Sequence, residues 1–166
     1  PDLMTLAKSI GVGMPLSAVV GKAEIMDAPE GGQIGGTFSG NAVSCAAALA
    51  AVEIYEKERL ADRANKINEY VVGKLKLMQE KHAQIGDIRH LGAMIAFEVV
   101  KDQTTKEPAK DETNQILSEC FKRGLLIIGA GVLGNVVRML MPLVITDEQL
   151  AQAMEILEES VDVVLS

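Results

Sequence analysis

The chain has 166 residues, 48% hydrophobic, 23% charged and only 3% aromatic, with a formal net charge of −7. It holds enough apolar material for a buried core, in one domain or parts of two. The acidic balance argues against general affinity for nucleic acid or an anionic membrane surface, which need basic patches, and no apolar run nears the ~20 residues of a membrane span. Cys45 and Cys120 lie far apart with no CxxC or histidine cluster, so no metal site or disulfide framework is expected and a cytoplasmic setting is.

Leu3 to Ala7 is short and mostly apolar and predicts a buried strand ending at Lys8. Gly11, Gly13 and Pro15 break the chain, and Leu16 to Val20 predicts a second strand. Lys22 to Ala28 reads as a short helix, and Pro29 to Gly40 as a loop holding five glycines. From Asn41 the pattern is helical. Ala46 to Val52 is apolar all round and is expected to be buried, while Glu53 to Arg59 should face water. A second helix is expected from Leu60 to about His82, with Ile67, Tyr70, Val71, Leu75 and Met78 on its apolar face. Composition turns from Gly- and Ala-rich to amphipathic here, so a domain boundary is expected near Arg59.

Beyond it, Ile85 to His90 and Ala93 to Val100 predict strands around a small α+β unit. Asp111 to Arg123 predicts a helix closed by Gly124, the residue best suited to a left-handed C-terminal cap. Leu125 to Ile128 and Val136 to Leu140 predict two more strands. Thr146 with Gln149 has the spacing of a capping box, opening a last helix to about Leu165.

Several segments could carry chemistry. Gly129 to Gly134 matches G-x-G-x-x-G, but Asn135 to Pro142, with the β-branched pair Val136-Val137 and a closing proline, predicts a strand. A dinucleotide site needs a helix there, so a plain strand connection is expected. Lys8, at the end of an apolar strand, is either a partly desolvated nucleophilic amine or a lysine reaching a surface edge. Lys22 competes less well, because its flanks suggest an exposed helix start. Gly35-Gly36-Thr37 could offer backbone N–H groups and a hydroxyl to an anion, or could be only a loop. Arg138 lies in an apolar run and needs an anionic partner, either a carboxylate of this protein or one on a ligand. His82 and His90 have no catalytic or metal-binding pattern and read as surface residues.

Taken together, these segments resemble the class III (ornithine-type) aminotransferases, which use pyridoxal 5'-phosphate. Asp2-Leu3-Met4-Thr5-Leu6-Ala7-Lys8-Ser9-Ile10 and Gly13-Met14-Pro15-Leu16-Ser17-Ala18 resemble the family's lysine segment. Gly35-Gly36-Thr37-Phe38-Ser39-Gly40-Asn41 resembles its Gly-Gly-Thr segment. Asn135 to Leu143 resembles the late arginine strand, particularly that of 4-aminobutyrate aminotransferases, and Leu91 to Ala96 also fits. The resemblance implies that Lys8 forms the Schiff base to the cofactor and moves the proton once displaced. It implies that Thr37, with the Gly36 backbone, binds the cofactor phosphate of a neighbouring subunit, and that Arg138 grips a substrate carboxylate.

The resemblance further implies an α/β fold: the C-terminal part of a fold-type I PLP-dependent transferase. Residues 1–59 would end the large cofactor-binding domain, and residues 60–166 would form the small C-terminal α+β domain. The other cofactor contacts would precede Pro1, so this piece alone is expected to be inactive. The implied reaction passes an amino group from an ω-amino acid such as 4-aminobutyrate to 2-oxoglutarate, in a homodimer or homotetramer. Its partners are a small amino acid and a 2-oxo acid. Epimerisation or racemisation on the same scaffold, or a non-catalytic folding or dimerisation piece, are the alternatives. Val132, Leu133 and Gly134 stand where relatives acting on 4-aminobutyrate often carry bulkier residues, and Met14 where an aromatic is common, which leaves the amino donor open.

Overall fold

A computed structural model describes all 166 residues, which divide into two compact units, Pro1–Leu60 and Ala61–Ser166. In the first unit, β1 (Leu3–Leu6) pairs antiparallel with β2 (Ala18–Gly21), with Leu3 opposite Gly21 and Leu6 opposite Ala18. A single 3-10 turn, Lys8–Gly11, joins them, followed by the one-turn helix α1 (Ala23–Met26) and the longer α2 (Ala42–Lys57). Asn41 starts α2 firmly: its side-chain oxygen accepts from the N–H groups of Val43 (3.1 Å) and Ser44 (3.2 Å). These are two of the donors that a helix start leaves orphaned.

The apolar stretch from Ala46 to Val52 is not buried within this unit. Leu49 and Val52 are mostly exposed, and Ser44 is the helix's one buried residue. A helix that is apolar all round needs neighbours on every side, and a two-stranded ribbon cannot supply them.

The second unit is built on a four-stranded antiparallel sheet, ordered β3 (Ile85–Leu91), β4 (Met94–Val99), β6 (Val136–Leu140) and β5 (Ile128–Ala130). The helices α3 (Leu60–Lys81), α4 (Lys110–Lys122) and α5 (Asp147–Leu165) complete it. Each presents a stripe at helical spacing: Ile67, Val71, Leu75 and Met78 from α3; Thr113, Ile116 and Cys120 from α4; Leu150, Met154, Leu157 and Val161 from α5. These join Ile95, Phe97 and Val99 of β4 and Val137 and Met139 of β6 in one core. Every second residue of those strands faces inward, as the pleat requires.

The capping box forms as expected, with Gln149 N–H donating to Thr146 Oγ1 and Thr146 N–H to Gln149 Oε1. Gly124 takes the left-handed conformation after α4 at φ 87°.

Three further details differ from the expectations. β5 begins at Ile128 rather than Leu125, because Leu125 N–H still donates to Cys120 C=O and finishes the helix cap. Tyr70 is partly exposed, and Val72 is buried on α3 instead. His82 is no surface residue: it lies 8% exposed at the end of α3, with Nε2 2.6 Å from Asp162 Oδ1 on α5. As expected, Gly129 to Gly134 carries the tight β5–β6 connection, with no helix in it.

Candidate functional site

Lys8 does not end a buried strand. It sits exposed in the 3-10 turn, with φ at 58°. Val12, which closes the same turn, also lies in the left-handed region at φ 50°, and its N–H reaches Ser9 C=O at 3.4 Å. The left-handed region costs a side-chain-bearing residue about 1–2 kcal/mol, and a β-branched residue such as Val12 is an outlier there. Two such residues around one turn persist only because the surrounding contacts hold them there. The fold-back is tight at Gly11, where a Cβ would lie 3.3 Å from Leu16 Cβ. The turn packs against α2.

The other lysine of this region is committed elsewhere. Lys22 Nζ pairs with Asp2 Oδ1 at 2.5 Å, whereas Lys8 takes part in no ion pair of the chain.

Gly36 and Thr37 lie exposed in the loop that leads into α2. Ser39 N–H donates back to Gly36 C=O at 3.0 Å, which rounds the loop into a turn. The N–H groups of Gly35, Gly36 and Thr37 donate to nothing in the chain. Asn41 already occupies the first donors of α2, so the free donors of this region are those of the loop itself. No hydrogen bond joins Lys8 to Gly36 or Thr37.

Arg138 lies in the second unit, on the face of the sheet turned away from the helices. Its cross-strand partners are Ala96 on β4 and Ile128 on β5. The next residue on the same row is Arg89, opposite Ala96 on β3. The two arginines differ in one decisive respect. Arg89 Nη1 bonds Glu98 at 2.7 Å and Asp87 at 2.8 Å, and these hold its guanidinium firmly charged. Arg138 has no carboxylate partner in the chain, and its Nε is buried without a hydrogen bond.

Beside Arg138, Leu125–Ile128, β6 and α5 line a largely apolar cavity of about 370 Å³. Ala96 is small, which leaves the guanidinium room on one side. Lys8, Gly36 and Thr37 thus belong to one unit and Arg138 to the other.

Two features of the site escaped the reading of the sequence. Val12 in the left-handed region has no signal of its own, since nothing about a valine predicts it. Asn135 has a weak one: an amide just ahead of an apolar strand must be exposed or fully bonded. It is 5% exposed, and Nδ2 donates to Val99 C=O at 3.0 Å.

The family model described as aminotransferase class-III matches residues 1–161. A probable 4-aminobutyrate aminotransferase of Bacillus subtilis is 45% identical over 158 residues, which is 95% of this chain and 36% of that protein. A 5-aminovalerate aminotransferase of Pseudomonas aeruginosa is 43% identical over 162 residues, 98% of this chain and 38% of that protein. An amine transaminase from an uncultivated Pseudomonas species, solved in its PLP-bound form, superposes with a TM-score of 0.86 at 32% identity. That match covers 99% of this chain and 39% of the other. The chain spans little more than a third of the length of the curated relatives it matches. No helix is long and apolar enough to cross a membrane. An ordered run of lysine turn, glycine loop and unpaired arginine, matched by one family model across 161 of its residues, places this chain in the class-III aminotransferase family.

Proposed function

We propose that the protein to which this chain belongs transfers an amino group from an ω-amino acid, such as 4-aminobutyrate, to 2-oxoglutarate. The products are an aldehyde and glutamate. The observation that carries the reading is Arg138: a half-buried guanidinium with no anion of its own in the chain. Desolvated cations are held by carboxylates or phosphates, and both partners of this reaction bring a carboxylate. The names of the relatives, 4-aminobutyrate and 5-aminovalerate aminotransferase, support a linear ω-amino acid as donor.

The residues present fit pyridoxal 5'-phosphate. Lys8 offers an amine free of ion pairs, and Gly36 and Thr37 offer backbone N–H groups with no internal acceptor, suited to a phosphate. Bound there, the cofactor supplies an electron sink that no side chain can provide. Lys8 Nζ would hold it, and as a free amine would move a proton between the substrate carbon that bears the nitrogen and the cofactor. Arg138 orients each substrate through its carboxylate. In a homodimer, Thr37 would serve the partner's cofactor. The thiols of Cys45 and Cys120 are free, which suits a cytoplasmic enzyme.

The test uses the full-length protein with 4-aminobutyrate and 5-aminovalerate, each with and without 2-oxoglutarate. Glutamate should form only when both substrates are present. Racemisation of a chiral amino acid incubated without 2-oxoglutarate, with no glutamate formed from either ω-amino acid, would replace this reading with epimerisation. Borohydride reduction and peptide mapping should label Lys8; label on Lys22 would overturn its role.

A further inference from the structure

Arg138 is useful only while it stands on the open face of the sheet, and the strand it sits on is short. β6 has five residues, and its neighbours Val137 and Met139 point into the core. A slip of one residue in its pairing would exchange the two faces, sending position 138 inward and a core side chain outward. Burial of Val137 and Met139 opposes such a slip, and a second restraint stands at the start of the strand.

Asn135 stands immediately before β6. Its C=O accepts from Val99 N–H at 2.8 Å, and its side-chain Nδ2 donates to Val99 C=O at 3.0 Å. One residue thus closes both main-chain groups of the last residue of β4. The same Val99 C=O also accepts from Ala109 N–H at 3.1 Å, just ahead of α4, so β4, β6 and the start of α4 meet at one oxygen.

The approach to Asn135 is also confined. Gly131 and Gly134 both have positive φ, at 80° and 68°. A Cβ on Gly131 would fall 2.8 Å from Val136 Cγ2, and one on Gly134 would lie 3.3 Å from the Lys110 side chain. A side chain at Gly131 would therefore collide with the strand that follows. Three residues further on, Arg138 stands opposite Ala96.

We propose that Asn135 is the positioning residue of the carboxylate site: its two-point bond to Val99 sets the register that keeps Arg138 on the open face opposite Ala96. The proposal rests on the reading of Arg138 as the carboxylate anchor. Asn135 does not touch the substrate. Its loss acts through Arg138 alone, and misplacement of such an anchor by an ångström weakens substrate capture by roughly 10- to 100-fold.

The experiment uses the full-length holoenzyme and four variants: Asn135→Ala, Asn135→Ser, Arg138→Ala and the double variant Asn135→Ala/Arg138→Ala. The KM for 2-oxoglutarate, kcat and thermal midpoint are measured for each. Asn135→Ala should raise KM about tenfold or more with kcat within about twofold, and should add nothing further to KM once Arg138 is already alanine. Asn135→Ser, which keeps a polar group but shortens its reach, should lie between, and decides the matter if the alanine variant does not fold. A lowered midpoint with unchanged KM would make Asn135 structural only, while Arg138→Ala alone still raises KM. An equal rise in KM on the Arg138→Ala background would also overturn the proposal, since Asn135 would then act by another route. If Arg138→Ala itself leaves KM unchanged, the carboxylate reading fails first and takes this one with it.

Discussion

Replacing Arg138 by alanine separates a ligand-binding arginine from a structural one, because the two roles predict stability changes of different size. Arg138 has no carboxylate to leave behind, and its Nε is a buried donor without an acceptor. Removing such a donor relieves a desolvation penalty of about 1–3 kcal/mol. Against this stands the packing of its three methylenes, about 0.8 kcal/mol each when fully buried and about half that here. The two nearly cancel, so the 166-residue chain should melt within about 3 °C of its parent, at roughly 2–4 °C per kcal/mol for this size. Breaking a buried internal ion pair would instead cost about 3–5 kcal/mol, a drop of at least about 6 °C. Binding moves the other way. Loss of one charged partner from a desolvated carboxylate costs about 2–5 kcal/mol, which is roughly 30-fold or more in the KM for 2-oxoglutarate. Thermal melts of the 166-residue chain by circular dichroism, and initial-rate kinetics on the full-length enzyme, measure the two. A melt lowered by more than about 6 °C with KM unchanged would refute the reasoning, for Arg138 would then be part of the fold rather than of the site.

Three further outcomes are expected. The His82 hydrogen bond, helped by the Lys81 charge, holds the Asp162 carboxyl below its usual range; a lowered folded value stabilises in full above the unfolded pKa of about 4, and that stability is lost as pH falls through the folded one. The stability gap between the parent and Asp162→Asn, measured by urea titration, should therefore be open at about pH 6 and narrow as pH falls below about 4; a gap independent of pH removes the argument. Phe97→Ala, at a fully buried position in the centre of β4, should cost about 3–5 kcal/mol in the same titration, and a loss below about 1 kcal/mol would mean the core is not where it is drawn. Asn41→Ala frees two N–H groups at the start of α2 and should cost about 1 kcal/mol, read as faster amide exchange at Val43 and Ser44; unchanged exchange there would show that the cap does not hold the helix.

The elements of the second unit were largely legible because each carries its own local instruction. The stripes of α3 and α5, the Thr146–Gln149 capping box and Gly124 all act within a few residues of themselves. The alternation of Ile95, Phe97 and Val99 does the same for β4. Reading failed where the outcome depended on distant partners. His82 looked like a surface residue because Asp162 is eighty positions away. Ala46 to Val52 looked buried because apolar character alone says nothing of whether a neighbour is there to cover it. For the site, the residue types were visible and their settings were not. Lys8 was placed at a buried strand end and instead stands exposed in a left-handed turn. Arg138 was left between an internal partner and a ligand, and only the third dimension shows that Arg89 takes the nearby carboxylates.

The β5–β6 connection has a consequence for how this chain can change over generations. Its two glycines are pinned by Val136 and Lys110, while Val132 is fully exposed and Leu133 mostly so between them. Those two positions can take almost any side chain without disturbing the turn, the Asn135 bond to Val99, or the seat of Arg138 a few residues later. Variation is therefore tolerated beside the anchor and forbidden on either side of it. A library randomised only at positions 132 and 133 would vary the chemistry offered at the tip while each member inherits the same folded frame.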